Sequence, residues 1–399
     1  MYKHVIFIII TLFSGLTVYS QNENEELNML INKALENNMG LKAQQLQTEA
    51  SKANMGTAYD FDKTTVYYGY DQNNYAPNDK ALNVFGLEQS FSFPTVYGAR
   101  RSLYKSQWEQ SKALYDIERN KLIMDVSLLY EQLVYVQNKE LLYKQLDSLY
   151  ASFSKAGQRK FELGESNYLE KITSEAKAKQ IHTNLLQLKS QKNSLYTQLT
   201  TLLQDNDSIV VANNKLELLA YESMGTIQEN YFRYNDAVSK TYENQLKLNR
   251  QNWFPDLTIE LYTGTNKGLG YMQNGVQVGI GIPLFFNGNV AKNKTAKLEM
   301  QSWQAQRVNK ERKMNDFIIQ KTNDLKEHKE MINYYNQNGR TLSEELMKTA
   351  EMSYKNGEID FFQYIQSLEN AISIHVDYLE SVLAYNKSYL EMYYFNFTE

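Results

Sequence analysis

The sequence holds no cysteine among its 399 residues, only four prolines, and no long apolar run beyond its first twenty positions. Each absence removes a class of protein. Without cysteine there are no disulfides, no thiol nucleophile and no thiol to carry a lipid, so stability must come from packing or assembly. Without a second apolar run of roughly 20 residues, the chain has no hydrophobic helix with which to cross a bilayer. An excess of positive charge is missing too: the net charge is −4, whereas a nucleic-acid surface requires a clustered basic face. The histidines His4, His182, His328 and His375 lie too far apart for local ligand spacing, so no metal site is expected. Nothing resembles a nucleophile elbow or a phosphate loop, and Gly268-Leu269-Gly270 suits a turn between strands better. The paired carboxylates Glu25-Glu26 and Glu344-Glu345 fit solvated helix faces. Neither catalysis nor a cofactor is expected.

What is present begins with a targeting signal. Lys3 precedes an apolar stretch from Val5 to Val18, and Val18-Tyr19-Ser20 supplies a cleavage pattern, so residues 1–20 read as a secretory signal cut before Gln21. The remainder is rich in aromatics, with 31 Tyr, 17 Phe and 3 Trp. Its mean hydropathy is nevertheless −0.56. That mixture suits a chain that is wet along most of its length and meets lipid in a restricted zone.

Pro77, Pro94, Pro255 and Pro283 fall in two windows, near 57–98 and 253–288, which also hold more than half of the glycines. Outside them the chain is nearly free of helix breakers. Leu122, Val126, Leu129, Leu133 and Val136 recur at spacings of four and three, continued by Tyr143 and Tyr150, which is a coiled-coil seam. A second seam, Ile181, Leu185, Leu188, Leu195, Leu199 and Leu202, follows Gly164, so the two helices form a hairpin. The plan then repeats: a helix from about Asn289 to Lys355, Gly357, and a returning seam of Ile365, Leu368, Ile372, Leu379 and Val382. Gly164 and Gly357 stand 193 positions apart, as do Phe61 and Phe254, while Pro94 and Pro283 stand 189 apart. The chain is therefore two copies of one unit, 21–204 and 205–399, each a helix, a strand pair and a long helical hairpin.

The strand pairs are expected at 59–70 with 83–94, and at 254–263 with 275–283. Val66 and Tyr68, Leu87 and Phe91, Leu257, Ile259 and Leu261, and Val276, Val278, Ile280 and Ile282 form an apolar face, opposed by Glu88, Ser90, Thr258, Glu260 and Gln277. Gln89 is the one break in that face. Strands of about ten residues with one apolar face and aromatics at their ends (Tyr59, Tyr70, Tyr97, Trp253, Phe285, Phe286) fit a transmembrane β-barrel, the apolar side chains facing lipid. Four strands cannot close a barrel, and open edges in lipid cost several kcal/mol per unpaired group, so further copies must complete it. The competing reading is an exported coiled-coil scaffold of the periplasm that conducts nothing; it calls for strand windows polar on both faces.

These residues resemble the TolC-like outer-membrane efflux proteins, over nearly the whole chain after the signal. The marks are Trp253-Phe254-Pro255-Asp256-Leu257 before a strand, Ile282-Pro283-Leu284-Phe285 after the next, and the turns Glu162-Leu163-Gly164-Glu165-Ser166 and Lys355-Asn356-Gly357-Glu358-Ile359. The resemblance implies a mainly α fold with a small membrane β part: a homotrimeric channel tunnel in which each chain gives four strands to a twelve-stranded β-barrel and its coiled-coil helices to an α-barrel. It implies a location in the cell outer membrane, extending into the periplasm, and partnership with a periplasmic adaptor and an inner-membrane pump. The duct would be passive, for efflux or type I secretion, opening as the hairpin ends relax outward. Adaptor docking maps onto Leu163, Gly164, Glu165 and Ser166, and onto Asn356, Gly357, Glu358 and Ile359. The periplasmic aperture maps onto Glu170, Gln363 and Gln366; where some relatives have rings of aspartate, the second repeat here carries glutamines. Tyr59-Asp60-Phe61-Asp62 replaces the family's proline before the first strand. A short equatorial segment is expected at 205–219, with Ser208-Ile209-Val210-Val211 as a small strand.

Overall fold

The computed structural model describes residues 22–72, 81–205, 209–213, 215–219, 227–265 and 271–394. The expected signal, 1–20, lies outside these residues, as does Ser208. The described chain is mainly helical with one small antiparallel sheet: α1 (Asn22–Asn37), α2 (Met39–Ala53), a 3-10 turn (Asn54–Tyr59), β1 (Thr65–Asp71), β2 (Leu82–Phe91), α3 (Pro94–Glu162), α4 (Tyr168–Leu203), α5 (Ile227–Gln251), β3 (Asp256–Thr265), β4 (Met272–Gly281), α6 (Asn287–Tyr334), a π turn (Tyr335–Gly339), α7 (Arg340–Lys355) and α8 (Phe361–Tyr393). Among the described residues no helix is long and apolar enough to cross a membrane.

The chain divides into two compact units. One comprises Ala43–Ile117 and Glu229–Lys313, the other Met1–Lys42, Glu118–Gln228 and Met314–Glu399. The first holds the sheet, whose strands run in the order β1-β2-β3-β4, each antiparallel to the next. The two expected hairpins are thus joined edge to edge by β2 and β3, one from each repeat. Beneath the sheet, Leu103, Ile117, Val238, Leu246 and Trp303 are buried, and Asn244 donates to the Ser102 carbonyl at 3.0 Å and to Ser106 Oγ at 3.2 Å, pairing α5 with α3.

The second unit is built on the seams. Val126, Leu133, Val136, Leu199 and Val382 are fully buried. Burying each such side chain contributes roughly 1.5–3 kcal/mol, which a polar amphipathic helix needs in order to stay folded. Leu203 rather than Leu202 is buried at the end of the second seam.

Several boundaries differ from the sequence-based expectation, each for a physical reason. β1 begins at Thr65 rather than near 59: Asn54–Tyr59 closes into a 3-10 turn in which Thr57 Oγ1 donates to the Asn54 carbonyl at 2.7 Å, and past it the Asp62 carbonyl accepts from the Gln89 side chain, at 2.7 Å, instead of from a strand partner. The opening helix is broken at Asn38, whose Oδ1 accepts from Leu41 N at 3.0 Å and so caps a new helix, while its Nδ2 donates to the Leu202 carbonyl at 3.0 Å. The helix expected from Asn289 to Lys355 is interrupted by the π turn, where Gly339 lets α8 approach: a Cβ there would lie 3.3 Å from Ile374 Cγ2. The small strand expected at 208–211 does not form over Ile209, Val210 and Val211. That segment is held by side chains instead: Gln137 Nε2 donates to the Val211 carbonyl at 3.0 Å, and the Glu26 carboxylate accepts from Ala212 N at 2.8 Å.

Candidate functional site

The sheet is the first candidate. Its register aligns the predicted apolar positions in rows across the strands. Val66 pairs with Leu87, Leu87 with Leu261 and Leu261 with Val276, and a second row runs Phe91, Leu257, Ile280. Ile259 pairs with Val278, Tyr68 lies on the same side of β1, and Ile282 follows the end of β4. Val66, Tyr68, Val276, Val278, Ile280 and Ile282 are all 60% exposed or more, an apolar face left open among the described residues. An apolar sheet face this exposed requires a non-aqueous neighbour.

The opposite face is polar and organised by glycine. Tyr67 pairs with Gly86, Gly86 with Tyr262 and Tyr262 with Gly275, so tyrosine and glycine alternate across all four strands. The rings of Tyr67 and Tyr262 lie flat over Gly86 and Gly275, in space that any Cβ would occupy. The next row is Thr65, Glu88, Glu260, Gln277, and the Tyr67 hydroxyl donates to Glu260. Sequence alternation placed Glu88 and Glu260 on one face; that they adjoin each other and Tyr67 was not legible, because adjacency depends on register.

The hairpin ends are the second candidate, and both lie in the second unit. Both turns are Schellman closures. Gly164 (φ +74°) and Gly357 (φ +73°) adopt the left-handed conformation, and Glu165 N donates to the Lys160 carbonyl, as Glu358 N does to the Ser353 carbonyl, each at 2.8 Å. The returning helices are capped in matching fashion: Asn167 Oδ1 accepts from Glu170 N at 2.9 Å, and Asp360 Oδ1 from Gln363 N at 2.8 Å. Leu163 is exposed at 62%, together with Gly164, Glu165, Asn356, Gly357 and Glu358; Ser166 and Ile359 are partly covered. Among the described residues nothing lies within 4 Å of where a Cβ would sit on either glycine, so the turns leave open surface. Gly164→Ala and Gly357→Ala are each expected to cost about 1–2 kcal/mol through backbone strain, read as a lower denaturant midpoint with an unchanged slope. An unshifted midpoint would show that the turn relaxes out of the left-handed region.

Of the aperture residues, Gln363 and Gln366 are both exposed. Gln363 Oε1 accepts from Asp360 N at 3.1 Å, completing a capping box, so this side chain has a helix-end role that the sequence comparison with aspartate rings did not reveal. Gln366 Nε2 donates to Asn370 at 3.1 Å. Behind the turns an aromatic cluster joins the two hairpins: Tyr354 stacks on Tyr364 with centroids 4.8 Å apart, Phe153 meets Tyr364 edge-on at 5.4 Å, and Tyr150 and Phe361 are buried beside them. Polar links cross between the hairpins near this cluster. Lys160 Nζ donates to the Tyr354 hydroxyl at 3.3 Å, and Lys177 pairs with Glu369 at 2.7 Å.

Farther from the turns, His375 Nδ1 lies 2.8 Å from the Tyr335 hydroxyl of the π turn, and Tyr335 stacks on Tyr378 at 4.0 Å. Burial, and then the charge of Arg340, hold the His375 imidazole below its ordinary range. Its folded pKa is depressed, so between that value and about 6.5 the unfolded chain binds the extra proton. The neutral ring's contribution is complete above about 6.5 and is lost as pH falls through the folded value. The urea midpoint of the wild-type protein is expected to drop between pH 7.5 and 5.5, and His375→Gln to flatten that drop; an equal drop in the variant would assign it to other groups.

No family model matches the chain, and no curated protein does. Solved structures match closely in fold. The outer-membrane channel OprN superposes with a TM-score of 0.80 at 13% identity, covering 93% of this chain and 89% of that one. The outer membrane protein VceC from Vibrio cholerae gives 0.77 at 15% identity, covering 93% and 96%. The CmeC outer membrane channel from Campylobacter jejuni gives 0.77 at 17% identity, covering 93% and 85%. The chain has the fold of these outer-membrane channels, mainly α with a small β part.

Proposed function

We propose that the chain is one third of an outer-membrane channel tunnel, a passive exit duct that takes cargo from an inner-membrane pump and periplasmic adaptor. The observation that carries this reading is the sheet: one exposed apolar face, one polar face, and two open edges at β1 and β4. Open edges are not tolerated in lipid, and three copies of four strands close them into twelve. The likeness in fold to channels supports the same reading. The hairpin turns, with exposed Leu163 and bare glycine backbone, offer the adaptor its surface, since glycine lets another chain approach closely. Opening separates the hairpin ends, against the aromatic cluster and the Lys177–Glu369 pair. Neutral Gln363 and Gln366 give the aperture little preference for cations. Energy comes from the pump. The scaffold alternative fails to account for an apolar sheet face.

The test is assembly and conduction. Purified in detergent, the protein should have the mass of three chains, and in planar bilayers it should give discrete single-channel steps. A well-folded monomer that conducts nothing would sink the proposal.

A further inference from the structure

Each strand pair hands over to its long helix through a stretch of similar chemistry. Residues 94–108 (PTVYGARRSLYKSQW) carry Arg100, Arg101 and Lys105 and no acid; residues 283–298 (PLFFNGNVAKNKTAKL) carry Lys292, Lys294 and Lys297 and no acid. The positive end of a helix favours acids, and neither α3 nor α6 has one in its first turn. Lys105 pairs with Glu109 one turn on at 3.8 Å, and helix formation gives no reason for the other bases.

Immediately before these bases lies an exposed aromatic collar. Leu284 and Phe285 are 73% and 94% exposed, and Phe286, half-exposed, stacks on Trp253 with centroids 5.4 Å apart. In the first repeat, Tyr59 and Phe61 pack on Tyr97 at 6.4 and 5.3 Å while remaining about half exposed. The bases reach this collar. The Arg101 guanidinium lies 6.0 Å from the Tyr59 ring and donates to its hydroxyl at 3.4 Å, and the Arg100 guanidinium lies 5.8 Å from the Tyr97 ring. Lys292 and Lys294 follow Phe286 by roughly 9–12 Å of helix at 1.5 Å per residue, and both are exposed. Asp60 and Asp62 flank Phe61 in the first repeat, and Asp256 follows Trp253 and Phe254 in the second, so the bases outnumber the acids at both places.

Apolar strand face, aromatic ring layer and base-rich band follow one another in the order of acyl chain, interface and phosphate across a leaflet. We propose that the collar and its basic band bind the anionic headgroups of phospholipids in the leaflet on the helix side of the sheet, an anchor for a chain without a cysteine to acylate. The inference rests on the channel reading. Aromatic rings set the depth, and the arginines and lysines select the charge of the lipid.

The experiment uses the assembled full chain in nanodiscs of mixed phosphatidylcholine and phosphatidylglycerol, with spin-labelled lipids reporting which species lines the protein. Phosphatidylglycerol should be preferred by about tenfold at low salt. Replacing Arg100, Arg101, Lys292 and Lys294 together by Gln should bring the preference to within about twofold while conductance is kept. No preference in the wild-type protein, or an undiminished one in the variant, overturns the proposal. So does full displacement of phosphatidylglycerol by millimolar inorganic phosphate, which would make this a site for free anions. Conductance on the same samples separates the two readings: a non-conducting protein that still selects phosphatidylglycerol overturns the duct and upholds the collar, and one that does neither overturns both.

Discussion

Val276→Lys is expected to prevent the protein from assembling as a membrane trimer, at a cost of about 2–4 kcal/mol per copy. Val276 sits in the row Val66, Leu87, Leu261, Val276, at the middle of β2, β3 and β4, and is 69% exposed. In the proposed trimer a lysine there would meet the midplane of the bilayer, and the assembly would carry three of them, about 6–12 kcal/mol in all. That is comparable with the whole stability of a domain. The cost falls with distance from the midplane. Ile280 pairs with Leu257 one residue from the end of β4, so Ile280→Lys should cost about 1 kcal/mol or less, because the lysine snorkels to the interface. Gln277→Lys, on the polar face, should assemble normally. The readout is the fraction of trimer recovered from the outer membrane, in the order Gln277→Lys above Ile280→Lys above Val276→Lys. If Val276→Lys assembled as well as Gln277→Lys, the apolar face would not be the lipid face.

That ordering shows what was legible in the sequence. Alternation over 254–263 and 275–283 marked which side chains share a face, because period two needs no partner to be recognised. Depth needed the strand ends, which the sequence blurred by several residues at β1, where Tyr59-Asp60-Phe61-Asp62 carries no proline stop. The hairpin turns were readable for a local reason: a left-handed glycine with a polar cap a few residues on is written in consecutive positions. The features that escaped are long-range. Gly339 did interrupt a helical pattern, but its π turn is explained only by Ile374, on another helix. One local feature was passed over as well: Gln363, mapped to the aperture by the resemblance, also bonds to Asp360 N in a capping box. The equatorial segment read as a strand because Ile209-Val210-Val211 is β-branched throughout, yet it lies against helices whose side chains satisfy its backbone.

Asn386→Leu is expected to loosen that segment and to destabilise its unit by about 3–5 kcal/mol. Asn386 is fully buried on α8, and its amide makes three bonds: Nδ2 donates to Glu131 Oε2 and to the Glu217 carbonyl, both at 2.7 Å, and Oδ1 accepts from Leu219 N at 3.0 Å. No single residue type other than an amide supplies two donors and an acceptor in that space. Leucine fills the volume and removes all three bonds. The heaviest loss is at Glu131, a carboxylate only 7% exposed that would lose a charge-assisted donor. Glu131→Gln in the Asn386→Leu background should recover part of the loss, because a neutral amide costs less than a charge to leave short of a partner. Hydrogen exchange at Leu219 gives a local reading: its amide should exchange much faster in both variants, since neither restores its acceptor. Midpoints of unfolding within 0.5 kcal/mol of wild type, with Leu219 still protected, would mean that Asn386 fills space rather than holds the segment to the hairpins.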